Sequence, residues 1–333
     1  MLNMNKIMPL IILIMSTMIT ISANNWLGMW MGLEMNLMAF IPLIYEHKNK
    51  NSSQSMMIYF LAQSLSSILL LFSVLINSYI MTSSMLINEL TNMMLMISLF
   101  IKMGTAPFHM WLPEMMSNMN WYKCLTLMTW QKIAPLFVLS CTQTQHWMMM
   151  LSVMMSTMIG AIGGLNQTSI RKIMAYSSIS HMGWMMMLLS LKPFWYKYLA
   201  IYSMIIIMLI TILNYNNTYF MNQMSLSSKT ITEKYTISAL MMSMGGLPPF
   251  LGFLPKWMTI QAMIESNLMF TLMVMMMSSL ITLFYYLRLV SSMLLSFSTV
   301  SKWIFKHNMN QSMMIAMIMM NLMLPSCSMM IFF

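Results

Sequence analysis

The chain is a succession of apolar runs of about 20 residues joined by short polar links, and that pattern leaves few folds open. In the hydrocarbon core of a membrane every backbone N–H and C=O must find its partner inside the protein, so a run of this length crosses as an α-helix. Eleven such runs are readable, near 7–23, 26–45, 56–77, 89–111, 122–142, 147–165, 171–191, 197–215, 236–260, 268–288 and 313–333. The clearest links are EHKNKNSSQ (46–54) and NNTYFMNQMSLSSKTITEK (216–234). Alternating ten-residue segments, which a transmembrane β-barrel would require, are absent. The expected fold is an all-α integral membrane protein, one domain over 1–333 with about eleven transmembrane helices. Only 7% of residues are charged, against about 25% in soluble domains. The first run, preceded by Lys6, superficially resembles a signal peptide, but with ten spans after it, it reads as a first transmembrane helix.

The net charge of +10 has a topological reading. With the N-terminus on side one, that side holds Lys6, Lys48, Lys50, Lys123, Arg171, Lys172, Lys229, Lys234, Arg288, Lys302 and Lys306, and the other side only Lys192 and Lys197. The positive-inside rule then puts the N-terminus inside and the C-terminus outside. No polar domain carries these charges, so they do not point to nucleic acid. Lys102, Lys132 and Lys256 fall within spans and are not topology signals. A lysine at mid-membrane costs roughly 2.5–3.5 kcal/mol on insertion scales, and such residues mark ion or proton paths.

Lys102 lies in FIKMGTAPFHMWLPE, where Gly104 and Pro107 interrupt the helix, and GGLPPFLGFLP precedes Lys256 in the same way. These are the fourth and ninth spans. Taking approximate repeats of 1–145 and 146–290, followed by a C-terminal helix at 313–333, each break is the fourth member of its repeat. Five spans per repeat force the copies into opposite orientations, and matched Gly/Pro-interrupted helices are the pointer to an inverted-repeat transporter.

Glu34, in WLGMWMGLEMNLMAF, lies about nine residues into span two with Asn36 as its polar neighbour. Burial penalises the charged form of a carboxylate and of a lysine alike, and an opposite charge nearby restores it. A glutamate and a lysine that separate and re-pair therefore form a protonation switch. Lys132, in MTWQKIAPLF, is too far from either end of span five to snorkel comfortably; Lys256, nearer an end, could, unless the GGLPP break divides the helix and sets it deeper in the second half. His181, in AYSSISHMGWM, can relay protons at neutral pH or serve as a satisfied core histidine. His109 and Glu114 follow the first break and could line the same cavity. Trp26, Trp30, Trp111, Trp147 and Trp303 read as interface anchors.

Other chemistries find little support. Cys124, Cys141 and Cys327 are scattered, and no iron–sulfur run, Walker loop or GxGxxG fingerprint occurs. The 57 methionines include clusters such as Met148–Met150, but they spread over every span as flexible filler rather than as copper ligands. The chain is expected to bind no cofactor and no metal. Methionine in place of isoleucine on this scale points to an AT-rich animal mitochondrial genome.

In order along the chain, MGLEMN, IKMGTAPFHMWLPE, WQKIAP, AYSSISHMGWM and GLPPFLGFLPKW resemble the antiporter-like membrane subunits of respiratory complex I, NADH:ubiquinone oxidoreductase, and the Met-rich style resembles an arthropod copy. The resemblance covers nearly the whole chain. It implies two inverted five-helix repeats with discontinuous helices four and nine, in the mitochondrial inner membrane with the N-terminus in the matrix. It further implies that Glu34 modulates Lys102, that Lys132 is the central relay lysine, that Lys256 stands on the exit side, and that His181 lies between centre and exit. The implied partners are the neighbouring antiporter-like subunit 4, subunits 3, 4L and 6, accessory subunits and membrane lipids. NADH, FMN, iron–sulfur clusters and ubiquinone would belong to the parent complex. Two other readings stay open: a stand-alone cation/proton antiporter, whose metal site would favour acids although the chain has no aspartate, and a structural spacer that no longer pumps.

Overall fold

The structure, a computed structural model, describes residues 4–46, 49–79, 85–142, 145–191, 194–227, 230–295 and 311–323. Lys48, Lys192, Lys229, Lys302, Lys306, Trp303, Cys327 and residues 324–333 of the last expected span lie outside them. The described chain is helical throughout; the strand-like feature among these residues is an isolated bridge between Ser169 and Phe220. It divides into two compact units, 1–156 and 157–333.

The first unit contains α1 (Met4–Ser22), α2 (Trp26–Ile44), α3 (Lys50–Tyr79), α4 (Met85–Met103), α5 (Trp111–Ser117), α6 (Trp121–Met128), a 3-10 turn (Trp130–Lys132) and α7 (Ile133–Cys141). α8 (His146–Leu165) runs across the division. The second unit continues with α9 (Ile170–Leu191), α10 (Trp195–Tyr215), α11 (Met221–Ser227), α12 (Ile231–Gly245), α13 (Phe253–Glu265), α14 (Met269–Leu295) and α15 (Gln311–Asn321). The link read at 216–234 thus holds a short helix of its own.

Among the described residues, six helical stretches are long and apolar enough to cross a membrane: Trp26–Ile44, Lys50–Asn77, Trp121–Cys141, His146–Leu165, Trp195–Tyr215 and Met269–Leu294. Two of the other runs in the sequence fall short for physical reasons. The ninth run is split into α12 and α13, each too short alone. α9 is long enough but carries Arg171, Lys172, four serines and His181, which lower its hydropathy.

Large apolar side chains face outward all along these helices, among them Met15, Met57, Phe72, Met273, Met277 and Phe284, as lipid contact requires. Inside, small residues bring helices close. A Cβ on Gly32 of α2 would sit 2.4 Å from the Thr20 methyl of α1, and one on Gly160 of α8 would sit 2.7 Å from the Ser180 nitrogen of α9. Buried hydroxyls donate to a carbonyl one turn back, as Ser66 does to Gln63 (2.6 Å) and Ser156 to Val153 (3.0 Å). This lets serine and threonine stand in apolar surroundings.

On the surface of the first unit, Lys123 pairs with Glu46 at 2.6 Å and also donates to the Ile44 carbonyl (2.6 Å). Asn120 donates to the same carboxylate. Burial raises the Glu46 carboxyl, but the hydrogen bond and charge of Lys123 outweigh it and hold the group below its ordinary value.

Candidate functional site

α4 stops at Met103, one residue after Lys102, because Gly104 adopts φ +67°, a left-handed conformation that only glycine takes freely. Gly104 N–H donates to the Ile101 carbonyl (3.2 Å) and Thr105 N–H to that of Phe100 (3.1 Å), the Schellman closure of a helix end. Trp111 then turns back and donates its indole N–H to the Ile101 carbonyl at 3.1 Å. Trp111 is therefore a cap on the break rather than an interface anchor. Gln63 of α3 donates to the Lys102 carbonyl at 3.2 Å.

Lys132 lies at a second interruption, one the Gly/Pro pattern does not announce. Pro135 cannot donate to the carbonyl of Gln131, and the Thr129 hydroxyl bonds back to Leu125 (2.8 Å). The helix accordingly tightens into the 3-10 turn that ends on Lys132. Both lysines are buried, 6% exposed for Lys102 and 3% for Lys132.

They line one cavity in the first unit, together with Asn36, Tyr59, Gln63 and Gln131. Its volume, about 20 Å³ open to the centre of a water-sized sphere, suffices for a water with several polar partners. A hydrogen-bonded chain crosses the wall: Tyr59 hydroxyl to Gln131 at 3.4 Å, and Gln131 to Asn36 at 2.9 Å. Glu34 is half-buried on α2, between Leu33 and Asn36 of the cavity lining. Glu34 and Lys102 are not joined by an ion pair within 4 Å; among the described residues that contact belongs to Lys123 and Glu46. His109 bonds its own turn at Pro107 (3.1 Å) and Glu114 is exposed; neither lines the cavity.

In the second unit α12 ends at Gly245 with the same closure. Gly246 has φ +79°, its N–H donates to Ser243 (3.0 Å), and Leu247 N–H donates to Met242 (3.3 Å). The chain returns so tightly that a Cβ on Gly252 would fall 1.8 Å from the Ser243 carbonyl oxygen. Lys256, 6% exposed, donates its ammonium to the Gly245 carbonyl at 2.7 Å. It is thus turned inward onto the broken helix end, where the helix dipole favours a cation, and does not snorkel. Asn321 of α15 fastens this break by accepting from Leu251 N–H (3.0 Å) and donating its amide to the Ala239 carbonyl (3.1 Å). His181 is buried on α9, with Nδ1 2.9 Å from the Tyr198 hydroxyl. One turn further on, Trp184 presents its ring to Lys256 at 5.8 Å.

Sequence reasoning passed over Gln63, Gln131 and Tyr59. The readable signal was a pair of carboxamides inside apolar runs, in YFLAQSLSS and TWQKIAP. No group of three or more His, Cys, Asp or Glu among the described residues could hold a metal. Cys124 donates its thiol to the carbonyls of Met116 and Met119.

The family described as NADH:quinone oxidoreductase/Mrp antiporter, transmembrane, matches residues 23–282. The chain is 42% identical to NADH-ubiquinone oxidoreductase chain 2 of Anopheles gambiae, over 91% of this chain and 90% of that one. This chain belongs to the chain 2 family. Chain 2 of Locusta migratoria is 41% identical over 93% and 91% of the two chains, and that of Oryctolagus cuniculus 37% over 94% and 93%. Among solved structures, a chain of respiratory complex I from Thermus thermophilus superposes with a TM-score of 0.82 at 19% identity, covering 97% of this chain and 78% of that one. A chain of the Mrp complex from Dietzia gives 0.82 at 13% identity, over 97% and 75%. At these identities the likeness is one of fold: an all-helical, antiporter-like membrane protein.

Proposed function

We propose that this chain is a core membrane subunit of respiratory complex I that moves protons across the mitochondrial inner membrane while NADH reduces ubiquinone elsewhere in the complex. One observation carries the reading: Lys102 and Lys132, from different helices and each at a helix interruption, share a polar cavity with room for water. A proton passes from one ammonium to the other through that water and the amide-lined wall. Glu34, on α2 beside the cavity-lining Leu33, serves in this reading as the acid that modulates Lys102. His181 and Lys256 continue the relay in the second unit.

The matching helix closures at Gly104 and Gly246 support two inverted repeats. Eleven spans, an N-terminus in the matrix and contacts with the other antiporter-like and small membrane subunits complete the proposal. NADH, FMN, iron–sulfur clusters and ubiquinone are assigned to other subunits. A stand-alone metal-cation antiporter would need carboxylates where this cavity has two lysines and three carboxamides. The test is Lys132→Met in the assembled complex. Proton translocation coupled to NADH oxidation should be lost or strongly slowed; wild-type rate and stoichiometry would refute the reading.

A further inference from the structure

Tyr285 and Tyr286, adjacent on α14, are almost fully buried at 0% and 1% exposure, with ring centroids 4.7 Å apart. Their hydroxyls reach no hydrogen-bond partner of proper geometry among the described residues. A buried hydroxyl left in that condition is disfavoured, and in native proteins it ordinarily meets a bound water. The hydroxyls nevertheless stand beside polar groups of α9: Tyr285 next to Ser180, and Tyr286 next to Ser177. Both serines spend their own protons on helix carbonyls, to Ser177 at 2.7 Å and Met174 at 2.8 Å, so their oxygens are left with acceptor capacity only.

The pair also stands between two places that matter. On one side, Tyr285 packs over Gly164, and one turn later Arg288 donates to the carbonyl of Leu165 at the end of α8 and to that of Gln167 in the link before α9 (3.0 Å to the latter). On the other side, the Tyr286 ring lies next to Gly245, whose carbonyl holds Lys256. His181 is one turn beyond Ser177 on the same helix. About 15 Å of α9 separates His181 from Arg171 at its start, and Ser177, Ser178 and Ser180 lie in the part of that stretch next to His181.

We propose that Tyr285 and Tyr286, with Ser177 and Ser180, bind water and form a proton branch connecting the basic link at Arg288 with His181 and Lys256. Each hydroxyl takes a proton from a water on the link side and gives its own to the water or serine oxygen on the inner side. It then rotates back. One proton enters and one leaves, the tyrosines remain neutral, and no electron moves. This rests on the proton-translocating reading above.

The test is the double variant Tyr285→Phe, Tyr286→Phe in the assembled complex, which keeps both rings and removes only the hydroxyls. Proton-coupled NADH oxidation should fall at least about tenfold, a modest share of what positioned proton transfer contributes, and its H₂O/D₂O rate ratio should change. If the tyrosines only pack, phenylalanine relieves two buried hydroxyls: heat stability rises, activity and isotope ratio stay at wild type, and the branch is overturned. Lys132→Met in the same background separates the failures. If it impairs transport and the double variant does not, only the branch falls; if neither does, the translocation reading falls with it. A map of the wild-type complex gives an independent arm: water density bonded to Tyr285 and Tyr286 supports the branch, and a dry contact refutes it.

Discussion

Gly245 and Gly246 are neighbours, and replacing each by alanine should have opposite consequences. Gly246 holds φ +79°, where an alanine is disfavoured by about 1–2 kcal/mol. Its Cβ would also fall 2.8 Å from both Cδ and Nζ of Lys256 and 2.9 Å from Cε. The lysine stem is flexible and would move, but in moving it gives up the 2.7 Å bond to the Gly245 carbonyl. A hydrogen bond from a charged group contributes about 1.5–3 kcal/mol, so the Gly246→Ala loss comes to about 2.5–5 kcal/mol. A Cβ on Gly245, by contrast, meets nothing nearer than 3.6 Å. At the end of α12 an alanine there should be neutral or stabilising by up to about 1 kcal/mol. The assay is thermal inactivation of NADH–quinone reductase in inner membranes, read together with proton translocation before heating. Gly246→Ala should inactivate at lower temperature and translocate poorly although every lysine is retained; Gly245→Ala should match wild type. Equal behaviour of the two variants would show that the break and the position of Lys256 do not matter as argued.

Two further outcomes follow from contacts away from the lysines. The Glu46 carboxyl is held below its reference value of 4.5 by Lys123, so the clasp contributes fully above about pH 4.5 and is lost as pH falls through the lower folded value. Glu46→Gln should remove that acid-dependent part, about 1 kcal/mol for a partly exposed pair; an acid-inactivation profile unchanged by the substitution would contradict it. Asn321→Ala should lose the bond to Ala239 but keep the backbone bond to Leu251, for a loss of about 1 kcal/mol. Faster amide exchange around residues 239–251 at nearly unchanged assembly is the expected signature, and unaltered exchange would sink the latch.

Breaks at Gly104 and Gly246 were legible in the sequence because a left-handed helix end demands glycine and a nearby proline prevents resumption, both purely local requirements. The interruption at Lys132 was not, since Pro135 inside an apolar run reads equally well as a mild kink and the decisive bond, Thr129 to Leu125, involves a side-chain choice. Nor could the sequence join Gln131 to Asn36, residues in different helices whose meeting depends on packing. Lys256 was readable either as a snorkelling residue near the end of its span or as a deeper one if the break divided the helix, as it does. Its ammonium turns inward because the split helix offers a carbonyl, which a count of residues does not reveal. Glu34 was expected to be deeply buried, and within this chain it is half-exposed.

All three membrane lysines stand at places where a helix stops. Lys102 is in the last turn of α4, Lys132 is in the turn after α6, and the Lys256 ammonium caps the last carbonyl of α12. The α12 terminus carries partial negative charge, so the ammonium form of Lys256 completes it and the neutral form does not, whereas Lys132 also begins α7, the end of opposite polarity. If the proposed relay withdraws a proton from Lys256, the end of α12 should loosen with it. The occupancy of Lys256 should consequently be readable as amide hydrogen exchange at that break, with no measurement of charge movement at all.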